Sequence, residues 1–185
     1  MITAVLTKFK RIEEIEAIRE SLSNQPLITE ILVRDNTVIN LMSYGKYLLI
    51  PESKNEVIYT QDDDCVVNNL TELFSYYDGE QMINQLKSSH INLYDGKDSM
   101  MGWGAIFPKH SIRILDYYIS KYGQDRVLWR EADRIFTSLY PHRTIVADVT
   151  DFPSANADYA LYKEPIHDLY KHKAITRATE IAKSL

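Results

Sequence analysis

Residues 57–65 read VIYTQDDDC, a short run of β-branched and aromatic side chains that ends in three consecutive carboxylates. Val57, Ile58 and Tyr59 favour a buried, pleated strand, and Asp62, Asp63 and Asp64 mark its end. Upstream, residues 2–6 (ITAVL) form an earlier strand candidate. Ile12, Ile15, Ile18 and Leu22 follow at spacings of three and four, the period of an amphipathic helix, and Pro26 closes it. Residues 27–33 (LITEILV) predict a second strand running into Asp35 and Asn36. Strand, helix and strand in this order predict a parallel βαβ unit. Open α/β sheets bind ligands outside the carboxyl ends of their strands, which is where the three aspartates fall.

Further along, a helix is expected over 41–49, carrying Gly45 and Lys46, and another over 68–77. Residues 81–86 are ambiguous. The stretch 95–107 (DGKDSMMGWGAIF) is rich in Gly and Met and has no helical period. Helices are expected over 112–122, 131–139 and 174–185, a late strand over 144–149, and a loop over 151–158. There is no internal repeat or low-complexity linker. The expectation is one α/β domain over 1–185, with a mixed, mostly parallel sheet flanked by helices.

Composition narrows the function. The 185 residues are 45% hydrophobic and 11% aromatic, which excludes disorder as the main state. A net charge of −5 excludes a basic nucleic-acid coat, though a local patch could survive. The single Cys65 excludes an internal disulfide and a multi-cysteine metal site, and suits a reducing compartment. No stretch approaches the ~18 consecutive apolar residues of a membrane span. The opening MITAVLTKFKR lacks a basic leader and a cleavage site, so a cytoplasmic protein with no obligate protein partner is expected.

Three adjacent carboxylates repel one another, and a solvated charged turn is the plain explanation for such a run. At a parallel strand's carboxyl end, however, hard oxygen donors suit Mg²⁺ or Mn²⁺ and a diphosphate. Asp62, Asp64 and Val66 also meet the D-x-D-x-[TV] pattern of the haloacid dehalogenase group, in which Asp62 would be the phosphoryl-accepting nucleophile. That motif belongs on a domain's first strand, whereas a βαβ unit precedes it here.

The chain more fully resembles the GT-A fold of nucleotide-diphospho-sugar transferases, of exostosin-type or short family-2-like form. ITAVLTKFKR is similar to that family's first strand and turn, with Thr7 and Arg11 on the donor side. EILVRDNT resembles its second strand, where Asp35 and Asn36 would meet the base or ribose. YGKYLLI resembles the helix whose cation faces the donor, here Lys46. VIYTQDDDC is similar to its DxD strand. GWGAIFPKH resembles the loop that frames donor and acceptor, through Trp103 and Gly104. READRIFTSL resembles the acceptor-side acidic helix, with Glu131 and Asp133 as alternatives for the catalytic carboxylate. EPIHDLYKHK is similar to the closing histidine motif, through His167.

The resemblance implies a metal-dependent glycosyltransferase. Asp62, Asp64 and His167 would hold Mn²⁺ or Mg²⁺, Asp62 and Asp63 would meet the donor, and a UDP-sugar is the favoured nucleotide sugar. Residues 1–67 would form the donor-binding half and 68–185 the acceptor side. The hydroxyl acceptor is open among a glycan, a small molecule and a hydroxymethylated DNA base. Lys109, His110, Arg113, Lys121, Arg126 and Arg130 are cations for the last of these. Stereochemistry also stays open, and a non-catalytic nucleotide-sugar binder is a further alternative. Each residue has a plainer role available: His167 as a capping residue with His172 as its rival, Asp133 opposing a helix dipole, Lys46 snorkelling, and Trp103 in the core.

Overall fold

The computed structural model describes residues 1–94, 96, 98–158, 160 and 163–185. Asp95 and Lys97, from the Gly- and Met-rich stretch, lie outside the described residues. Six strands form one sheet: β1 (Ile2–Lys8), β2 (Ile28–Asp35), β3 (Val57–Gln61), β5 (Met82–Leu86), β6 (Ala105–Pro108) and β7 (His142–Val146), in the order β2-β1-β3-β6-β5-β7. Neighbours run parallel except at β6, which is antiparallel to both β3 and β5. β4 (Cys65–Val67) and β8 (Val149–Asp151) pair separately. The fold class is therefore as expected, a mixed α/β sheet flanked by helices.

Alternation along the strands builds two apolar layers. Val5, Ile58 and Phe107 point to one face, where α3 (Ile114–Tyr122), α4 (Arg126–Leu139) and α5 (His167–Ala182) pack through Leu115, Leu128, Phe136 and Ile181. Ala4, Leu6, Tyr59 and Ile106 point to the other face, against α1 (Ile12–Ser23) and α2 (Leu70–Ser75). With both faces covered, β1 reads as a continuous apolar run. Leu6 pairs with Gln61 and Lys8 with Asp35, so β1, β2 and β3 deliver their carboxyl ends to one rim.

Several boundaries differ from the sequence reading. Residues 42–48 form a 3₁₀ segment (Met42–Leu48) rather than an α-helix. Met42 has a positive φ of 52°, and its backbone is held by the Asn36 and Asn40 side chains. The ambiguous stretch at 81–86 is β5. α4 starts at Arg126 because Asp125 caps it by accepting from the Leu128 N–H, and α5 begins at His167. Among the described residues, no helix is long and apolar enough to cross a membrane.

Candidate functional site

The three aspartates after β3 have three different environments. The Asp62 N–H donates to the Gly102 carbonyl at 2.9 Å, and its carboxylate is 45% exposed. A Cβ at Gly102 would collide with that carboxylate. Asp63 turns back toward β1, where it accepts from the Phe9 N–H at 2.7 Å and pairs with Arg11. Arg11 also donates to the Ser154 carbonyl at 3.0 Å. Burial, followed by the charge of Asp62, pushes the Asp64 carboxyl up to about 7. Cys65 is buried, and burial raises its thiol far from the thiolate range, consistent with an inert role.

The 42–48 segment and α4 face this loop. Lys46 is buried, with its ammonium 2.8 Å from Asp133 Oδ2 and 3.4 Å from Asp62 Oδ1. It is therefore no snorkelling side chain; it joins the strand-end carboxylate to the helix carboxylate. Tyr47 donates its hydroxyl to Asp133 Oδ1 at 2.9 Å. Asp133 is 15% exposed, and burial raises its carboxyl above the ordinary range against the pull of Lys46. Glu131 lies at a kink in α4 (φ −117°, ψ 24°), buried beside Arg134 at 3.3 Å. Arg134 also pairs with Asp98.

His167 opens α5, and its Nδ1 lies 3.8 Å from Glu131 Oε1. Because α5 packs on α4, the imidazole meets the helix carboxylate. Among the described residues, no three His, Cys, Asp or Glu side chains are grouped closely enough to hold a metal ion. Asp62, Asp64 and His167 are thus not gathered into one preformed cluster.

On the donor side, Asp35 pairs with Lys8 at 2.6 Å and accepts from Thr37. Asn36 is fully buried, donates to the Met42 carbonyl at 3.1 Å and packs against Gly45, so its amide shapes the 42–48 segment. Thr7 Oγ1 is buried without a hydrogen-bond partner. Trp103 meets His90 edge-on at 4.8 Å and carries the Lys87 ammonium 4.9 Å from its ring centre. Gly104 has φ 103° and lies over the amide of Gln85, whose polar atoms are buried and unpaired. Arg130 is buried and paired with Glu164, and Lys109 donates to the Ser53 carbonyl, so neither is a free cation for a DNA groove.

Sequence reasoning missed Ser43, Tyr47, Arg134 and Asp98. Ser43, Lys46 and Tyr47 are spaced three and four apart, which aligns them on one side of a helical turn; that pattern was available to find them. Tyr47 also lines a cleft of about 520 Å³ with Tyr44, Leu48, Leu115 and Ile119, and none of the loop aspartates lines it.

No protein-family model matches the sequence, and no curated protein matches it. Solved structures do. Glucosyl-3-phosphoglycerate synthase from Mycobacterium tuberculosis, in complex with Mg²⁺ and UDP, superposes with a TM-score of 0.54 at 10% identity, over 99% of this chain and 79% of that one. The same enzyme with Mn²⁺, UDP and glucosyl-3-phosphoglycerate gives 0.54 at 9% identity, over 99% and 80%. S. aureus TarS (residues 1–349) with UDP gives 0.49 at 10% identity, over 99% and 90%. At the level of fold, this chain has the GT-A architecture of the nucleotide-diphospho-sugar transferases.

Proposed function

We propose that the chain is a divalent-cation-dependent glycosyltransferase that moves a sugar from a UDP-sugar to a hydroxyl acceptor. The observation that carries this reading is the Asp62–Lys46–Asp133 bridge. It joins one carboxylate at the end of β3, Asp62, to a carboxylate of α4. The shared fold with a synthase solved in complex with UDP and Mg²⁺ supports it.

The residues fit a hard cation. Asp62 offers a half-exposed carboxylate, and Asp64 is held near neutrality because burial and its neighbour's charge oppose a second anion. Asp62 and Asp64 would hold Mn²⁺ or Mg²⁺, with His167 joining only by leaving Glu131. The cation would stabilise charge on the departing nucleoside diphosphate as a Lewis acid. Lys46 adds a fixed positive charge beside it. Thr7 offers an unpaired hydroxyl for the nucleoside, and Trp103 a ring for sugar stacking. Asp133 is the preferred acceptor-side carboxylate, since it shares Lys46 with Asp62 of the strand-end loop, whereas Glu131 faces Arg134 and His167. As a general base it would contribute ~10²–10⁴-fold. A glycan or small-molecule hydroxyl is the preferred acceptor, because the basic set needed for DNA loses Arg130 and Lys109 to internal partners.

Nucleotide release from a panel of nucleotide sugars with Mn²⁺, with and without mixed acceptors, tests this. One donor should be consumed in a cation-dependent way, and Asp64→Ala should lower the rate at least ~10²-fold. Donor binding without turnover would make the chain a nucleotide-sugar binder. Hydrolysis of a simple phosphoester through Asp62, with no donor consumed, would replace the proposal with a phosphatase.

A further inference from the structure

Asp133 does not hold its place through its own helix alone. α4 is kinked just before its middle, at Glu131, and the Ser43 hydroxyl enters from the 42–48 segment. Its oxygen accepts from the Ala132 N–H at 3.2 Å and lies 3.0 Å from the Arg130 carbonyl. One turn further along the same segment, the Tyr47 hydroxyl meets Asp133 Oδ1 at 2.9 Å, while Lys46 takes Oδ2 at 2.8 Å. Both carboxylate oxygens are therefore fixed by one short stretch of chain. That stretch is itself anchored, because Asn36 and Asn40 hold Met42 in its left-handed conformation.

A buried tyrosine needs a partner for its hydroxyl, but this core could have supplied a phenylalanine. The Tyr47 ring packs edge-on to Phe136 at 5.7 Å and stacks on Tyr44 at 6.2 Å, contacts that need no oxygen. The hydroxyl is accounted for by Asp133 and, at 3.3 Å, the Met101 sulfur. The ionisable groups acting on Asp133 from the packed elements are Lys46 and Tyr47 of the 42–48 segment and Asp62 of the acidic loop. His167 and Arg177 of α5 face Glu131 and Asp125 instead.

We infer that Tyr47 is a positioning residue, which with Ser43 in the kink of α4 holds the Asp133 carboxylate in one orientation. Its catalytic meaning rests on the glycosyltransferase reading, in which Asp133 serves the acceptor hydroxyl. The tyrosine is buried, and its hydroxyl reaches Asp133. It acts by donating to the charged form of Asp133, which burial disfavours.

The experiment is Tyr47→Phe, which keeps the ring and removes the hydroxyl. The carboxyl stretch of Asp133, assigned by its loss in Asp133→Asn, is followed by infrared spectroscopy against pH. In Tyr47→Phe its protonation midpoint should rise by about one pH unit, the loss of one charge-assisted hydrogen bond. Ser43→Ala should broaden the ionised-carboxylate band, because the helix backbone beneath Asp133 loses its plug. With turnover, Tyr47→Phe should leave the donor KM unchanged and move the acid limb of the kcat–pH profile up by the same one pH unit. A merely structural tyrosine would lower the melting temperature and leave the midpoint where it was, which would overturn the inference. If the native chain consumes no nucleotide sugar, the functional reading falls, while the infrared midpoint still decides the role of Tyr47.

Discussion

The acidic loop at 62–64 and the READR stretch of α4 (130–134) are both dense in charge, yet the fold treats them oppositely. In READR every charge has a partner: Arg130 pairs with Glu164, Arg134 with Asp98 and Glu131, and Asp133 with Lys46. Arg130 and Arg134 also lie 5.0 and 5.4 Å from the ring centres of Tyr170 and Tyr94. In the loop, Asp63 is neutralised by Arg11, Asp62 shares Lys46 with Asp133, and no ion pair reaches Asp64 among the described residues. Buried charge is tolerated when its partners are built in. The helix is therefore balanced without a ligand, whereas the loop is left short of positive charge. The two regions meet at Lys46.

Removing Lys46 should break both regions at once. Lys46→Met leaves Asp133 buried with only Tyr47 and leaves Asp62 without its ammonium, so unfolding free energy in urea should fall by about 3–5 kcal/mol. Adding Asp133→Leu should restore much of it by removing the stranded carboxylate. A loss below ~1 kcal/mol for the single change would mean that the bridge is a surface-like pair and that the contrast between loop and helix is wrong.

A finer probe acts on the loop alone. Gly102→Ala places a methyl where the Asp62 carboxylate now lies, and because that carboxylate is half-exposed it can swing away. The fold should survive, and Mn²⁺ affinity measured by calorimetric titration should fall about tenfold, or ~1.4 kcal/mol. Unchanged affinity with a lowered melting temperature would place the cation elsewhere.

The two regions were also unequally legible in the sequence. The β3 strand and its acidic end could be read because a run of β-branched and aromatic residues and a sharp polarity break are local signals. The βαβ unit followed from the spacing of Ile15, Ile18 and Leu22, all of which are buried. The α4 charges look like a solvated helix face in one dimension, and only the arrival of Glu164, Asp98 and Lys46 from distant segments makes them interior. The 42–48 segment departed from the expected α-helix because Asn36 and Asn40 bind the backbone of Met42, a side-chain competition that periodicity does not report. His167 was selected by motif likeness, and its position against Glu131 depends on how α5 docks, information that lies in the packing of two helices.

The smallest expected effect tests whether α4 is a scaffold independent of the loop. Asp125 caps α4 by accepting from the Leu128 N–H at 3.1 Å, and it receives the Arg177 guanidinium from α5 at 2.6 Å. Burial pushes its carboxyl up, but the Arg177 hydrogen bond and the Leu128 N–H outweigh burial and hold it below its ordinary value. A carboxylate depressed in the folded state contributes stability that is complete above its unfolded pKa, ~3.9, and is lost as the pH falls through the folded value. Asp125→Ala should therefore cost about 1 kcal/mol at pH 7, and the difference from the native chain should shrink on acidification below pH 4. Mn²⁺ titration of the same variant should match the native chain, since Asp125 reaches none of the loop aspartates. A variant that lost cation affinity along with helix stability would show that the two regions are one cooperative unit, and that the charge shortage of the loop is maintained by the helix rather than by β3.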